Sequence, residues 1–400
     1  MTNTTQDFHP TRAPERIDML DAIRGFALFG ILLMNLEAFN GPILQAMTGI
    51  NPSLHGADRL ADAFIYIFVQ GKFWPLFSLL FGIGFAIMHD SAARSGGDFR
   101  RIYKRRLWVL MAIGAAHAIL IWEGDILVTY ALAGFVLLWR MKNDAPPRLS
   151  CILMVYCAPL ALLAFTGAMA GNHDDSGNIS EMMAEEVRYQ GHSAYMATLQ
   201  WRVGYFLLNL GNLVILLPMA VAVFALGVRL HRQGRSRPAM SVDDGGGRVA
   251  LYCYCAGLAL MVASIVIAPD VSPVRIDAVF AAVNVLNMLA GLLMCLGMFF
   301  GLRWLWARPV SRKRLAVLAP LGRMALSNYL LQSLVCTLIF CGYGLGYFQQ
   351  LPRAWHIPFA IALIALQTLL SKWWLSRFSM GPAEYLWRWL TYGKRPKFVS

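Results

Sequence analysis

Apolar stretches long enough to cross a bilayer recur along this chain from residue 20 to residue 376. In hydrocarbon every backbone N–H and C=O must be satisfied within the chain, so each stretch reads as a helix of about 20 residues. The stretches run over roughly 20–39, 62–88, 107–121, 125–140, 149–170, 203–228, 249–269, 277–302, 316–341 and 357–376. The pattern predicts an all-α, polytopic membrane protein with about ten transmembrane helices. Composition agrees. The chain is 58% hydrophobic and only 14% charged, whereas a soluble domain carries about 25% charged residues.

Loop charges orient the helices. Basic residues gather in alternate segments: Arg12 and Arg16, then Arg94 to Arg106, Arg140 to Arg148, Arg229 to Arg248, Arg303 to Arg314, and Arg377 to Lys397. The intervening loops are poor in Lys and Arg, and 171–202 is acidic, with Asp174, Asp175, Glu181, Glu185 and Glu186. By the positive-inside rule both termini are expected in the cytoplasm. The net charge of +13 is then a topology signal. No nucleic-acid recognition motif accompanies it, so the expected partner is the lipid bilayer. The first 17 residues are polar and lack the features of a cleaved signal peptide. One transmembrane unit is expected over 18–376, made of parts 18–228 and 229–376. Segment 1–17 and a basic tail, 377–400, flank it in the cytoplasm. The seven cysteines lie in or beside apolar stretches without Cys-x-x-Cys spacing. They read as buried structural thiols, with no metal site or disulfide framework.

Against this apolar background the polar residues are informative, because charge at membrane depth is expensive. The first span carries Asp21, Arg24, Asn35 and Glu37. Arg24 and Asn35 are eleven residues apart, which puts them within about 20° of one helix face and roughly 16 Å apart along it. The third and fourth spans are short and enclose His117, Trp122, Glu123, Gly124 and Asp125. Histidine acts as a general base near neutral pH, and a neighbouring carboxylate orients it. A structural histidine bonded to the next helix is the alternative. In the ninth span Asn328 and Gln332 share a face. They fit either interhelical hydrogen bonding or the lining of a substrate cavity. Arg323 lies near the cytoplasmic end, suited to snorkelling or to phosphate. Gly82 and Gly84 read as sites of close helix packing.

These residues carry a resemblance over almost the whole length. Leu20-Asp21-Ala-Ile-Arg24-Gly25 with Asn35, Phe77-Ser-Leu-Leu-Phe81-Gly82, His117 with Trp122-Glu123-Gly124-Asp125, Gly322-Arg-Met-Ala-Leu-Ser-Asn-Tyr-Leu-Leu-Gln332 and Gly381-Pro382-Ala-Glu384 resemble the YeiB-like bacterial inner-membrane proteins, a family named only for a domain of unknown function. That family is distantly similar to membrane acyltransferases, both the O-acyltransferase and the heparan glucosaminide N-acetyltransferase branches. The resemblance implies an acyl group, often from acetyl-CoA, passed from the cytoplasm to an acceptor in or across the membrane. In the O-acyltransferase branch an arginine precedes a catalytic histidine by eleven residues. This chain keeps the arginine as Arg24 and has Asn35 at the histidine position. Asparagine is no general base at neutral pH. In the heparan-type branch a first-outer-loop histidine is implicated, and that loop holds His55.

Three functions follow as expectations. The first is an acyltransferase using acetyl-CoA or another acyl-CoA. His117 is its base, with Asp125 or Glu123 in support. Arg24, Asn35, Asn328 and Gln332 contact substrate, and Arg24, Lys104, Arg105, Arg106 and Arg323 hold the donor's phosphates. The second is a small-molecule transporter, which intramembrane charge fits equally, although no inverted repeat is evident. The third is a non-catalytic membrane scaffold. The acyl acceptor, and assembly with a second copy of the chain, stay open.

Overall fold

The computed structural model describes residues 18–45, 48–141, 145–169, 176–236, 245–271 and 277–398. The expected segment 1–17, with Arg12 and Arg16, lies outside them, as do Lys142, Asp174, Asp175 and Arg237. The described fold is all-α. The helices are α1 (Asp18–Asn40), α2 (Gly56–Phe68), α3 (Phe73–Ser95), α4 (Phe99–Leu120), α5 (Leu127–Arg140), α6 (Leu149–Met169), α7 (Ser176–Glu186) and α8 (Tyr195–Asn209). They continue with α9 (Leu213–Ser236), α10 (Gly246–Ile267), α11 (Ala278–Trp306), α12 (Pro309–Leu315), α13 (Ala319–Arg323), α14 (Ala325–Phe340), α15 (His356–Leu375) and α16 (Pro382–Tyr392).

Seven helices or near-continuous helical runs are long and apolar enough to cross a membrane: α1, α2–α3, α6, α8–α9, α10, α11 and α15. An eighth arises if α12–α13 and α14, bent by 76° at their junction, form one span. The sequence reading counted more because it included α4 and α5. The first two turns of α4 hold Arg100, Arg101, Lys104, Arg105 and Arg106, and α5 has only 14 residues. Three expected spans also divide. The stretch 62–88 divides at Val69–Lys72 into α2 and α3, 203–228 at Leu210–Asn212 into α8 and α9, and 316–341 at Met324. Helix α2 is amphipathic, burying Ala61, Asp62, Ile65 and Tyr66 while exposing Leu60 and Phe64.

Helix α1 is the hub. Leu28, Leu32, Leu33 and Leu36 are fully enclosed, and α1 packs on α3, α13, α14 and α15. A full circle of apolar side chains suits a helix surrounded by protein. Close approach is built from glycines. A Cβ on Gly322 would collide with the Asp21 carbonyl, and one on Gly25 with the Leu318 carbonyl, so α1 and α13 meet backbone to backbone. Gly82 and Gly227 interlock α3 and α9 in the same way, as the reading of Gly82 anticipated, whereas Gly84 faces the Arg24 guanidinium. Gly322→Val must separate α1 from α13. We expect a loss of roughly 2–4 kcal/mol, within the range of severe overpacking, measured as a drop in thermal unfolding midpoint in detergent. A midpoint equal to the parent's would show that the contact yields.

The cysteines depart from expectation. Cys295, Cys336 and Cys341 are buried, but Cys151, Cys157 and Cys255 are exposed on α6 and α10 and Cys253 is half-buried. These helices turn much of their apolar surface outward, which an isolated sequence cannot distinguish from burial in protein.

Candidate functional site

A cavity of about 1520 Å³ lies between α1, α3, α4, α5, α14 and α16. Its wall carries nine basic side chains, Arg24, Arg101, Arg105, Arg106, Arg323, Arg388, Lys394, Arg395 and Lys397, against three acidic ones, Asp21, Asp98 and Glu384. Lys104, expected among the phosphate-binding group, is exposed and off this wall. Asp21 is taken by Arg24 at 2.7 Å. Glu384 is also engaged. Its Oε1 accepts from the backbone N–H of Leu326 at 2.7 Å and of Ser327 at 3.2 Å, and its Oε2 accepts from the Ser327 hydroxyl at 2.5 Å. A carboxylate there satisfies orphan donors at the start of α14 and complements its dipole. Burial pushes the Glu384 carboxyl up from its ordinary value.

Arg106 is different. Its guanidinium lies 3.6 Å over the Trp387 ring, repels Arg24, and pairs with no carboxylate among the described residues. Among the described residues the wall therefore carries more basic than acidic side chains, the condition for binding a phosphorylated ligand. Residues 377–398 are no loose tail. Trp387 Nε1 donates to the Arg106 carbonyl at 2.9 Å, and the Ser379 N–H donates to the Phe398 carbonyl at 2.9 Å. The chain end thus becomes cavity wall.

The inner end is apolar. Leu28, Ile31, Phe77, Leu80, Leu110 and Leu127 line it with Tyr130 and Tyr329. Tyr130 donates to the Trp74 carbonyl at 2.8 Å and accepts from Ser78 at 2.8 Å. Behind Tyr329 stands the pair that the sequence brought into view. His117 Nδ1 and Asp125 Oδ1 are 2.9 Å apart, both side chains 1% exposed. Asp125 Oδ2 accepts from the Val128 N–H at 3.1 Å, fixing the carboxylate at the start of α5. The Tyr329 hydroxyl reaches Asp125 Oδ1 at 3.4 Å, and its ring is 5.2 Å from the His117 ring. An ionised Asp125 assigns the proton to Nδ1 and leaves Nε2 as an acceptor. That Nε2 is enclosed and has no partner among the described residues. His117 itself does not line the cavity, so Tyr329 stands between them.

Glu123 turns away from His117. It accepts from Gln190 Nε2 and from Arg202 Nε, the latter at 3.3 Å. Arg202 is completely buried. It also donates to the Leu120 carbonyl at 3.3 Å and to the Tyr343 hydroxyl at 3.1 Å. Gln190 sits in a single π-helical turn, Val187–Gly191. A second cluster joins α1, α2 and the turn before α15, where Arg353 bridges Glu37 at 2.5 Å and Asp62 at 2.6 Å. Sequence reading missed both arginines. The available signal was Arg202 inside the apolar run Tyr195–Gly234.

Beside Arg202's cluster, Glu186 is buried on α7 and accepts from the Ile43 N–H at 2.9 Å. Burial, then the charge of Glu123, lifts its carboxyl from the ordinary 4.5 to about 8. A carboxyl raised on folding binds its proton more tightly in the native state. Stability should therefore fall as pH rises from about 4.5 to about 8 and level off above. Glu186→Gln should flatten that slope in thermal unfolding measured across this window. An unchanged slope would assign it to another group.

Asn328 and Gln332 serve α15. Asn328 Nδ2 donates to the Leu321 carbonyl at 3.1 Å and to Ser371 Oγ at 2.9 Å. Gln332 Nε2 donates to Gln367 Oε1 at 3.0 Å, and Gln367 returns a bond to the Asn328 carbonyl at 3.1 Å. Both are buried and off the cavity wall, the interhelical alternative of the sequence reading. Asn35 is half-buried and off the wall, and its side chain forms no hydrogen bond among the described residues. Arg323 lines the cavity and donates to the Ser379 carbonyl at 3.1 Å. His55 is exposed ahead of α2.

An all-α bundle with at least seven membrane-length apolar helices and a basic cavity defines a multi-pass membrane protein. Its kinship is specific. The chain is 31% identical to the uncharacterized protein YxaH of Bacillus subtilis (strain 168), with 96% of each chain covered. It is 31% identical to the uncharacterized protein YeiB of Escherichia coli (strain K12), covering 94% of this chain and 96% of that one. The DUF418 family profile, a protein of unknown function, matches residues 230–394. The chain belongs to this YeiB-like DUF418 family of bacterial proteins. No solved structure matches it.

Proposed function

We propose that this protein is an acyltransferase of the bacterial inner membrane, with ten crossings that include α4 and α5 and with both termini in the cytoplasm. One observation carries the reading: a cavity with surplus cations ends at Tyr329, whose hydroxyl touches the carboxylate holding His117. Arg24, Arg105, Arg106 and Arg323 take the phosphates of an acyl-CoA entering from the cytoplasm. Displacement of the Tyr329 ring opens the way from its acyl carbonyl to His117 Nε2. That nitrogen removes the proton from an acceptor hydroxyl or amine. The acceptor atom attacks the carbonyl, the C–S bond breaks, and the thiolate takes the proton back from His117. Asp125 holds the imidazole in the required tautomer and stabilises the transient imidazolium.

A second reading is a carrier. The cavity reaches one end of the bundle, while the Glu123–Arg202 and Glu37–Arg353–Asp62 ion pairs lie toward the other. Purified protein in nanodiscs, given acetyl-labelled acetyl-CoA and envelope extract, should release free CoA and label an acceptor. Uptake of label into sealed proteoliposomes without CoA release would replace transfer by transport.

A further inference from the structure

We infer that the inner end of the cavity is a hydrocarbon slot, so that the ligand it takes is a phosphate-bearing amphiphile with a chain of several carbons. For an acyl-CoA ligand the inference rests on the acyl-transfer reading and names the donor's class. The wall changes character sharply along α1. Asp21 and Arg24 belong to the charged part, Leu28 and Ile31 to the inner part. From Arg24 to Ile31 the helix advances about 10 Å. An extended chain covers roughly 1.2 Å per bond, as the backbone does at about 3.6 Å per three bonds, so this depth suits about eight carbons.

Helix α4 changes in step, from Arg106 to Leu110, while α3 lines the wall with apolar side chains throughout, from Met88 and Phe85 to Leu80 and Phe77. The polar groups at this end are already used. The Tyr130 hydroxyl has both a donor and an acceptor partner, and the Tyr329 hydroxyl is turned to Asp125. With Tyr329 in place, a polar ligand segment left there would lose hydrogen bonds to water and find none in return. Hydrocarbon loses nothing and gains burial. A two-carbon acyl group would leave most of this surface uncovered.

The slot is tested with non-hydrolysable thioether analogues of acetyl-CoA and octanoyl-CoA, free CoA and octanoyl lysophosphatidate. Binding is measured by calorimetry to the full-length protein in phosphatidylcholine nanodiscs. Each buried methylene is worth about fourfold in affinity. The octanoyl analogue should therefore bind at least ~30-fold more tightly than the acetyl one, even with imperfect packing. Ile31→Trp, which fills the inner end, should collapse that ratio. The series on the parent protein suffices if the variant fails to fold. Equal affinity for free CoA and both analogues would overturn the slot and leave the donor reading standing. Binding of lysophosphatidate with none of any CoA species would uphold the slot, name a lipid phosphate as its ligand, and overturn the donor reading. No binding of any probe would overturn both.

Discussion

Replacing Arg202 by methionine should lower the stability of the folded protein by about 3–5 kcal/mol, the cost of breaking a buried ion pair from one side. The guanidinium is wholly enclosed and lies 3.3 Å from Glu123, which is itself 2% exposed. It ties the Leu120 carbonyl, Gln190 and Tyr343 into one cluster. Methionine fills much of the volume but supplies no donor. Glu123 would keep its bond from Gln190 alone and remain a buried carboxylate without a cation. The pair itself is not a large net source of stability, because both charges gave up hydration to form it. The double variant Arg202→Met/Glu123→Gln should therefore recover most of the loss. Thermal unfolding of the parent, the single variants Arg202→Met and Glu123→Gln, and the double variant in one detergent completes the cycle. If Arg202→Met melts with the parent, water or lipid headgroups reach the cluster and it is not a dry ion pair.

That cluster marks where sequence reasoning ran out. Expensive charge inside apolar stretches pointed to Arg24, His117 and Asp125, and the structure puts all three on or directly behind one cavity. Asp125 was legible because it lies eight residues from His117 across a single turn. Glu123 carries the same charge two residues earlier, yet its partner is 79 residues away. Nothing local distinguishes a carboxylate that orients a histidine from one that answers a distant arginine. Arg353 was hidden for the same reason: its acids come from α1 and α2, about 300 residues earlier in the chain. The packing of the basic tail was hidden in another way. Its charge says nothing of what it touches, but the pairing of Trp387 with Arg106 and the Glu384 cap on α14 make it a wall of the site. The glycines are the converse case. Gly25 and Gly322 looked like family markers without a role, and become intelligible once α1 and α13 are seen to touch through them.

On the proposed chemistry His117→Gln should reduce acceptor-dependent CoA release by about 10²–10⁴-fold, the usual worth of a positioned general base. Glutamine is close in size and can donate to Asp125, so the pair's packing survives while the basic nitrogen is lost. Asp125→Asn should bring a comparable fall by another route. The asparagine amide would donate to Nδ1, move the imidazole proton to Nε2 and leave no lone pair facing the acceptor. Because Asp125 Oδ2 also accepts from the Val128 N–H, that variant needs an unfolding control. Tyr329→Phe removes the 3.4 Å contact to Asp125 and the hydroxyl's bond to the Ile126 backbone and should cost less than about tenfold, since neither group takes the reacting proton. The ordering matters more than any one value. A base with its orienter predicts large, similar losses at His117 and Asp125 that do not add in the double variant. A packing role predicts losses that follow thermal stability instead. Full turnover in His117→Gln would move the base elsewhere, and the first helix offers only Asn35 at the expected height, which cannot serve.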